Sequence, residues 1–116
     1  MLKKTLFTFF VFILFLMPLV TRAENDNINI YFFYSKTCPH CQAEKEFLTQ
    51  LAKSDQNIKI NAFEVSEKTN ANLLLLIGKT FNLNVSNVPL TIIGNRYFPG
   101  WSDSDISKLD IKEAVE

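Results

Sequence analysis

The sequence predicts an α/β domain of order β-α-β-α-β-β-α, built as a four-stranded mixed sheet with helices on both faces. Three observations carry that expectation. Residues 28–34 are apolar on nearly both faces, as a central strand covered on two sides must be. A helical stretch long enough to cross over leads to a second apolar run at residues 58–65, which makes these two strands parallel. Gly94-Asn95 separates residues 88–93 from 96–98, a two-residue linker of hairpin chemistry.

The elements follow in order. Residues 24–27 are polar and read as a frayed start, after which Ile28, Ile30, Phe32 and Tyr34 alternate with Asn29, Tyr31 and Phe33. Residues 35–37 break the run, and Pro39 suits the first turn of a helix, where its missing N–H has no partner to lose. The first helix therefore starts at the cysteine pair, Cys38 and Cys41. Ala43, Phe47, Leu48 and Leu51 give it an apolar face, with Glu44, Lys45, Gln50 and Lys53 read on the opposite side. Residues 54–57 form a turn before the second strand.

Residues 66–72 are polar with capping residues, and a second helix runs from Leu73 to Phe81 despite Gly78, which costs about 1 kcal/mol relative to Ala. Its apolar run is far too short to span a membrane. The hairpin must pair antiparallel beside the first strand to complete the sheet. Residues 102–105 can cap a last helix reaching about Val115.

Composition narrows the function. The 116 residues are 47% hydrophobic and carry twelve Lys plus Arg against twelve Asp plus Glu, enough for a core and a balance that excludes a strongly basic nucleic-acid binder. Residues 1–23 stand apart: Lys3 and Lys4 precede an apolar stretch from Leu6 to Val20, and Thr21-Arg22-Ala23 ends it with small residues at the positions a signal peptidase reads. The segment is expected to be a secretory signal cleaved after Ala23, leaving a domain of residues 24–116 with a net charge of −3. The competing reading is a retained anchor, but a span needs about 20 apolar residues and Pro18 shortens this run. The expected location is the periplasm or another extracytoplasmic space, where thiols are oxidised unless something keeps them reduced.

The chemistry sits in Cys38-Pro39-His40-Cys41, a C-x-x-C between a buried strand and the first turn of a helix. Unpaired N–H groups and the positive end of the helix dipole favour a thiolate on Cys38, and a protonated His40 would add to this. Cys38 is then the exposed nucleophile. Cys41, one helical turn inward, is placed to attack a mixed disulfide on Cys38 and release the substrate. A structural disulfide across so short a loop stabilises little. No metal is expected, since two Cys and one His within four residues do not make a zinc site, and haem attachment fails because residue 42 is Gln. Pro89, awkward as a trans proline at the start of a strand, points to a cis Val88–Pro89 bond.

Strand, Cys38-Pro39-His40-Cys41, helix, and then Asn87-Val88-Pro89 leading into a hairpin resemble the thioredoxin-fold superfamily over most of residues 27–115. Pro39-His40 is the dipeptide of the periplasmic disulfide oxidase branch, DsbA, whereas Tyr34-Ser35-Lys36-Thr37-Cys38-Pro39 and the size look like glutaredoxins. The resemblance implies Cys38 as nucleophile, Cys41 as resolving thiol, Pro39 and His40 as tuners of the thiolate, and Pro89 as the cis-proline beside the disulfide. It also implies that the backbone of Val88 holds extended substrate.

Departures from the pattern matter as much. The acidic residue that thioredoxins and DsbA carry six positions before the first cysteine is Phe32 here, so a buried proton acceptor for Cys41 is missing. Glu44 and Glu64 are the candidate substitutes, but both are expected on solvated faces. There is no room for the helical insertion of DsbA. Of the glutathione-binding features, Gly100 is kept and Pro99 replaces the second glycine, with Lys36 and Asp103 as candidate contacts and Trp101 expected in the core.

The expectation is an exported thiol-disulfide oxidoreductase without metal or organic cofactor, acting on protein substrates that carry thiols or disulfides, with glutathione as a candidate small substrate and a membrane redox partner to recharge it. Net oxidation and net reduction stay open, because direction depends on that partner. The alternatives are a redox-inert module holding peptides along Val88, a glutathione-dependent glutaredoxin-like reductase, and a domain detached from a larger membrane-anchored redox protein.

Overall fold

The computed structural model of the chain describes residues 2–4, 26–102 and 104–116; the expected secretory segment, apart from residues 2–4, lies outside the described residues, as does Asp103. The elements are β1 (Ile28–Tyr34), α1 (Pro39–Ser54), β2 (Ile58–Glu64), α2 (Lys68–Phe81), β3 (Leu90–Ile93), β4 (Arg96–Pro99) and α3 (Asp105–Val115). The sheet order is β2-β1-β3-β4. β1 pairs parallel with β2 from Ile28 opposite Ile58 to Tyr34 opposite Glu64, and antiparallel with β3 from Ile30 opposite Ile93 to Phe33 opposite Leu90. The four-stranded mixed sheet is the one that the sequence predicts.

Alternation along β1 divides the core. Ile30 and Phe32 face α1 and α3, in one cluster with Cys41, Leu48, Trp101 and Ile111. Phe33 faces α2 and joins Leu74 and Leu90. Because successive side chains of a strand point to opposite faces, one strand seeds both cores, which is why Ile30, Phe32 and Phe33 are all apolar. Aromatic stacking reinforces each side: Phe33 lies on Phe63 with ring centres 5.0 Å apart, and Phe47 meets Trp101 at 5.3 Å.

Several boundaries differ from expectation for physical reasons. α2 begins at Lys68 rather than Leu73, because its first turns are exposed and a helix start in water requires no apolar residue. β3 begins at Leu90 rather than Val88, since Pro89 has no N–H to offer a ladder. The hairpin turns on Gly94, whose φ is 57°, while Asn95 keeps the ordinary sign. Trp101 is buried, as expected. Among the described residues no helix is long and apolar enough to cross a membrane.

Two carboxylates overturn the sequence reading. Glu44, placed on the polar side of α1, has no exposed surface, and Glu64, expected on a solvated face, is 7% exposed. Glu44 lies four and seven positions from Leu48 and Leu51, so the helical period puts it on the inward face, and burial there requires a partner.

Candidate active site

The site is the junction of β1 and α1. Past Tyr34 the chain turns through residues 35–37, pinned on both sides: the Cys38 N–H donates to the Ser35 carbonyl at 3.2 Å, and the Lys36 N–H donates to Glu64 Oε1 at 3.4 Å. Gln42 Nε2 donates to the Lys36 carbonyl at 3.4 Å. The Ser66 hydroxyl also donates to Glu64 and holds its carboxyl below the usual carboxylate range. Glu64 thus anchors the approach to Cys38.

Cys38 is the N-cap of α1, with φ −95° and ψ 112°, and Pro39 opens the helix. Its Sγ accepts the Cys41 N–H at 3.2 Å, the bond that a Ser or Asp oxygen makes at other helix starts. Cys38 is half-buried and Cys41 fully buried, and neither is in a disulfide. Burial, with the bond to Cys38 second, pushes the Cys41 thiol up to about 12. Pro39 and His40 are exposed on the first turn, where chain continuity alone places them beside Cys38.

From the opposite side the loop before β3 brings Val88 and Pro89. The Val88–Pro89 bond is cis, as the sequence predicts. Cys38 Sγ lies 3.8 Å from the Val88 carbonyl oxygen, within reach of a weak S–H donation. Pro89 is buried, and its carbonyl accepts the Gly100 N–H at 2.8 Å, tying this loop to the end of β4. The structure therefore brings Cys38, Cys41, Val88 and Pro89 together from two segments fifty residues apart. Lys36 is exposed.

Beside Cys41 in the core lies a pair of which the sequence reading named only Glu44, and expected that one in solvent. Glu44 follows Cys41 by three positions on α1, and its Oε1 accepts from the hydroxyl of Thr91, a fully buried residue of β3 paired with Phe32. Among the described residues Glu44 Oε2 has no hydrogen-bond partner. Burial pushes the Glu44 carboxyl up to about 7, with the Thr91 hydroxyl pulling the other way. The signal for Glu44 was its spacing, since residues three apart share a helix face and Cys41 had to face inward. Nothing local marks Thr91.

Known structures share the fold. Oxidised mitochondrial thioredoxin 3 from Saccharomyces cerevisiae is similar at TM-score 0.54 and 16% identity, covering 78% of this chain and 77% of that one. The chain has the thioredoxin fold. A glutaredoxin from Archaeoglobus fulgidus shares the fold at TM-score 0.53 and 17% identity, over 78% of this chain and 87% of that one. So does a periplasmic thioredoxin-like protein from Salmonella enterica serovar Typhimurium, at 0.55 and 13% identity, over 80% and 87%. No protein-family profile and no curated protein matches the sequence. The carboxylate in one face's core with Cys41 stands on α1, and Phe32, six positions before Cys38, is a fully buried apolar residue of β1.

Proposed function

We propose that the chain is an exported thiol-disulfide oxidoreductase that exchanges disulfides with protein or small-thiol substrates through Cys38 and Cys41. The observation that carries this reading is a half-buried Cys38 at the start of α1, facing the Val88 carbonyl beside a cis-proline, with Cys41 buried one turn behind it. Cys38 attacks a substrate disulfide and forms a mixed disulfide. Cys41 then attacks Cys38, closing the Cys38–Cys41 bond and releasing the second substrate sulfur as a thiolate. The reverse sequence oxidises a dithiol substrate.

The Val88 carbonyl and the backbone before Pro89 offer an extended substrate a strand-like edge. Export rests on the N-terminal sequence pattern, and a membrane redox partner would set the direction of flow. The reaction needs no metal or bound organic cofactor, because the cysteine pair carries both electrons.

Two variants test the reading. Cys38→Ser is expected to abolish turnover of insulin and of glutathione disulfide, while Cys41→Ser keeps the first attack and accumulates mixed disulfides, read as added mass on the intact protein. A Cys38→Ser chain with undiminished turnover would overturn the proposal, and undiminished function of that variant in cells would favour a redox-inert peptide-binding module.

A further inference from the structure

Cys38 reacts from the end of a short turn, and a turn of residues 35–37 has no core of its own to hold it. Within it the Thr37 N–H donates to Ser35 Oγ at 3.4 Å, and the two hydroxyl oxygens lie 3.0 Å apart. The backbone of Lys36 is held from two other elements. Its N–H donates to Glu64 Oε1 at the end of β2, and its carbonyl accepts from Gln42 Nε2 on α1, each at 3.4 Å. Glu64 is itself fixed: it pairs with Tyr34 across the sheet, the Ser66 hydroxyl donates to its other carboxyl oxygen, and its carbonyl accepts from Asn70 Nδ2 of α2 at 3.0 Å. With 7% of its surface exposed, this carboxylate takes its hydrogen bonds from the chain rather than from solvent.

From this geometry we infer that Glu64 is a positioning residue for Cys38, acting through the backbone of Lys36, an assignment that rests on the disulfide-exchange reading above. The turn sets where Cys38 enters α1, and so whether its Sγ meets the Cys41 N–H at 3.2 Å and the Val88 carbonyl at 3.8 Å. A sulfur held there lies beside the backbone offered to substrate. Released from Glu64, residues 35–37 sample more conformations, and Cys38 is found less often in the one that attacks. In that attack the Cys38–substrate bond forms, the substrate S–S bond breaks, and its electron pair leaves on the second substrate sulfur. Glu64 takes neither proton nor electron. Position and charge therefore act in opposite senses: the carboxylate's charge by itself repels a nearby thiolate or an anionic disulfide, whereas its hold on Lys36 favours the attack. Removing Glu64 slows Cys38 if position decides and speeds it if charge decides.

The reduced full chain mixed with dithiobis(nitrobenzoate), an anionic disulfide, reads Cys38 as the first release of nitrothiobenzoate. Glu64→Ala is expected to slow that release about tenfold at neutral pH and to speed hydrogen exchange at the Lys36 amide in the folded chain. Glu64→Gln removes the charge but keeps an oxygen for the Lys36 N–H and an amide for Ser66, and is expected to stay within about twofold of wild type. Gln42→Ala, a change at an exposed residue of α1, is expected to slow the release about threefold, which keeps the assignment testable should Glu64→Ala fail to fold. Equal rates in the two Glu64 variants, or release as fast as wild type in Glu64→Ala or in Gln42→Ala, overturns the assignment, whatever the variants lose in stability. A wild-type chain that reacts with the reagent yet turns over neither insulin nor glutathione disulfide overturns the exchange reading, and the role of Glu64 with it.

Discussion

Glu44 and Cys41 share an enclosure that neither charge tolerates well, and the consequences are measurable in stability. A carboxyl whose folded value is raised from 4.5 to about 7 binds more protons in the native chain than in the unfolded chain between those limits. Stability is therefore greatest below about pH 4.5 as regards this group, and falls by about 3 kcal/mol as pH rises through about 7. Urea unfolding at about pH 5 and about pH 8 reads the difference, and Glu44→Gln is expected to shrink it. A wild-type chain equally stable at both would show that Glu44 is solvated in solution.

At the scale of elements, α2 shows how a residue unfavourable in its own helix is retained by its neighbours. Gly78 lies in the interior of α2, where the helix alone would favour Ala by about 1 kcal/mol. A Cβ there would stand 2.6 Å from Val85 Cγ2 and 3.2 Å from the Leu83 carbonyl oxygen. The chain folds back at Asn82, in the left-handed region with φ 54°, and the Leu83 N–H donates to the Gly78 carbonyl at 2.9 Å. The loop that follows leads to Val88 and Pro89, so this close approach also carries the cis-proline to Cys38. Overpacking costs roughly 1–3 kcal/mol, more than the helix gains, and Gly78→Ala is expected to lower the thermal midpoint by several degrees. A raised midpoint would mean that Val85 gives way freely.

Across the whole molecule, Trp101 connects the end of the hairpin to the α1–α3 core through its contact with Phe47. Trp101→Ala removes a largely buried aromatic where the sheet, α1 and α3 meet, and is expected to cost about 3 kcal/mol in denaturant unfolding. A loss under about 1 kcal/mol would place the indole outside the cooperative core. The order of elements, the parallel crossover, the Gly94 hairpin and the cis Val88–Pro89 bond were all legible in the sequence, because each has a local cause: alternation, crossover length, a backbone-permissive turn, or a ring without an N–H. The helix start at Lys68 was not, since exposed polar residues read alike in a loop and in a first turn. Glu44 stood on the inward face by its spacing from Leu48 and Leu51, yet a carboxylate argued against burial. By itself, then, the sequence determined where the cysteine pair falls, which strand is central and which proline meets the sulfurs. Only the tertiary structure decided that Glu44 is enclosed, because a buried carboxyl depends on its partner, and the hydroxyl of Thr91 reaches it from a strand 47 positions along the chain.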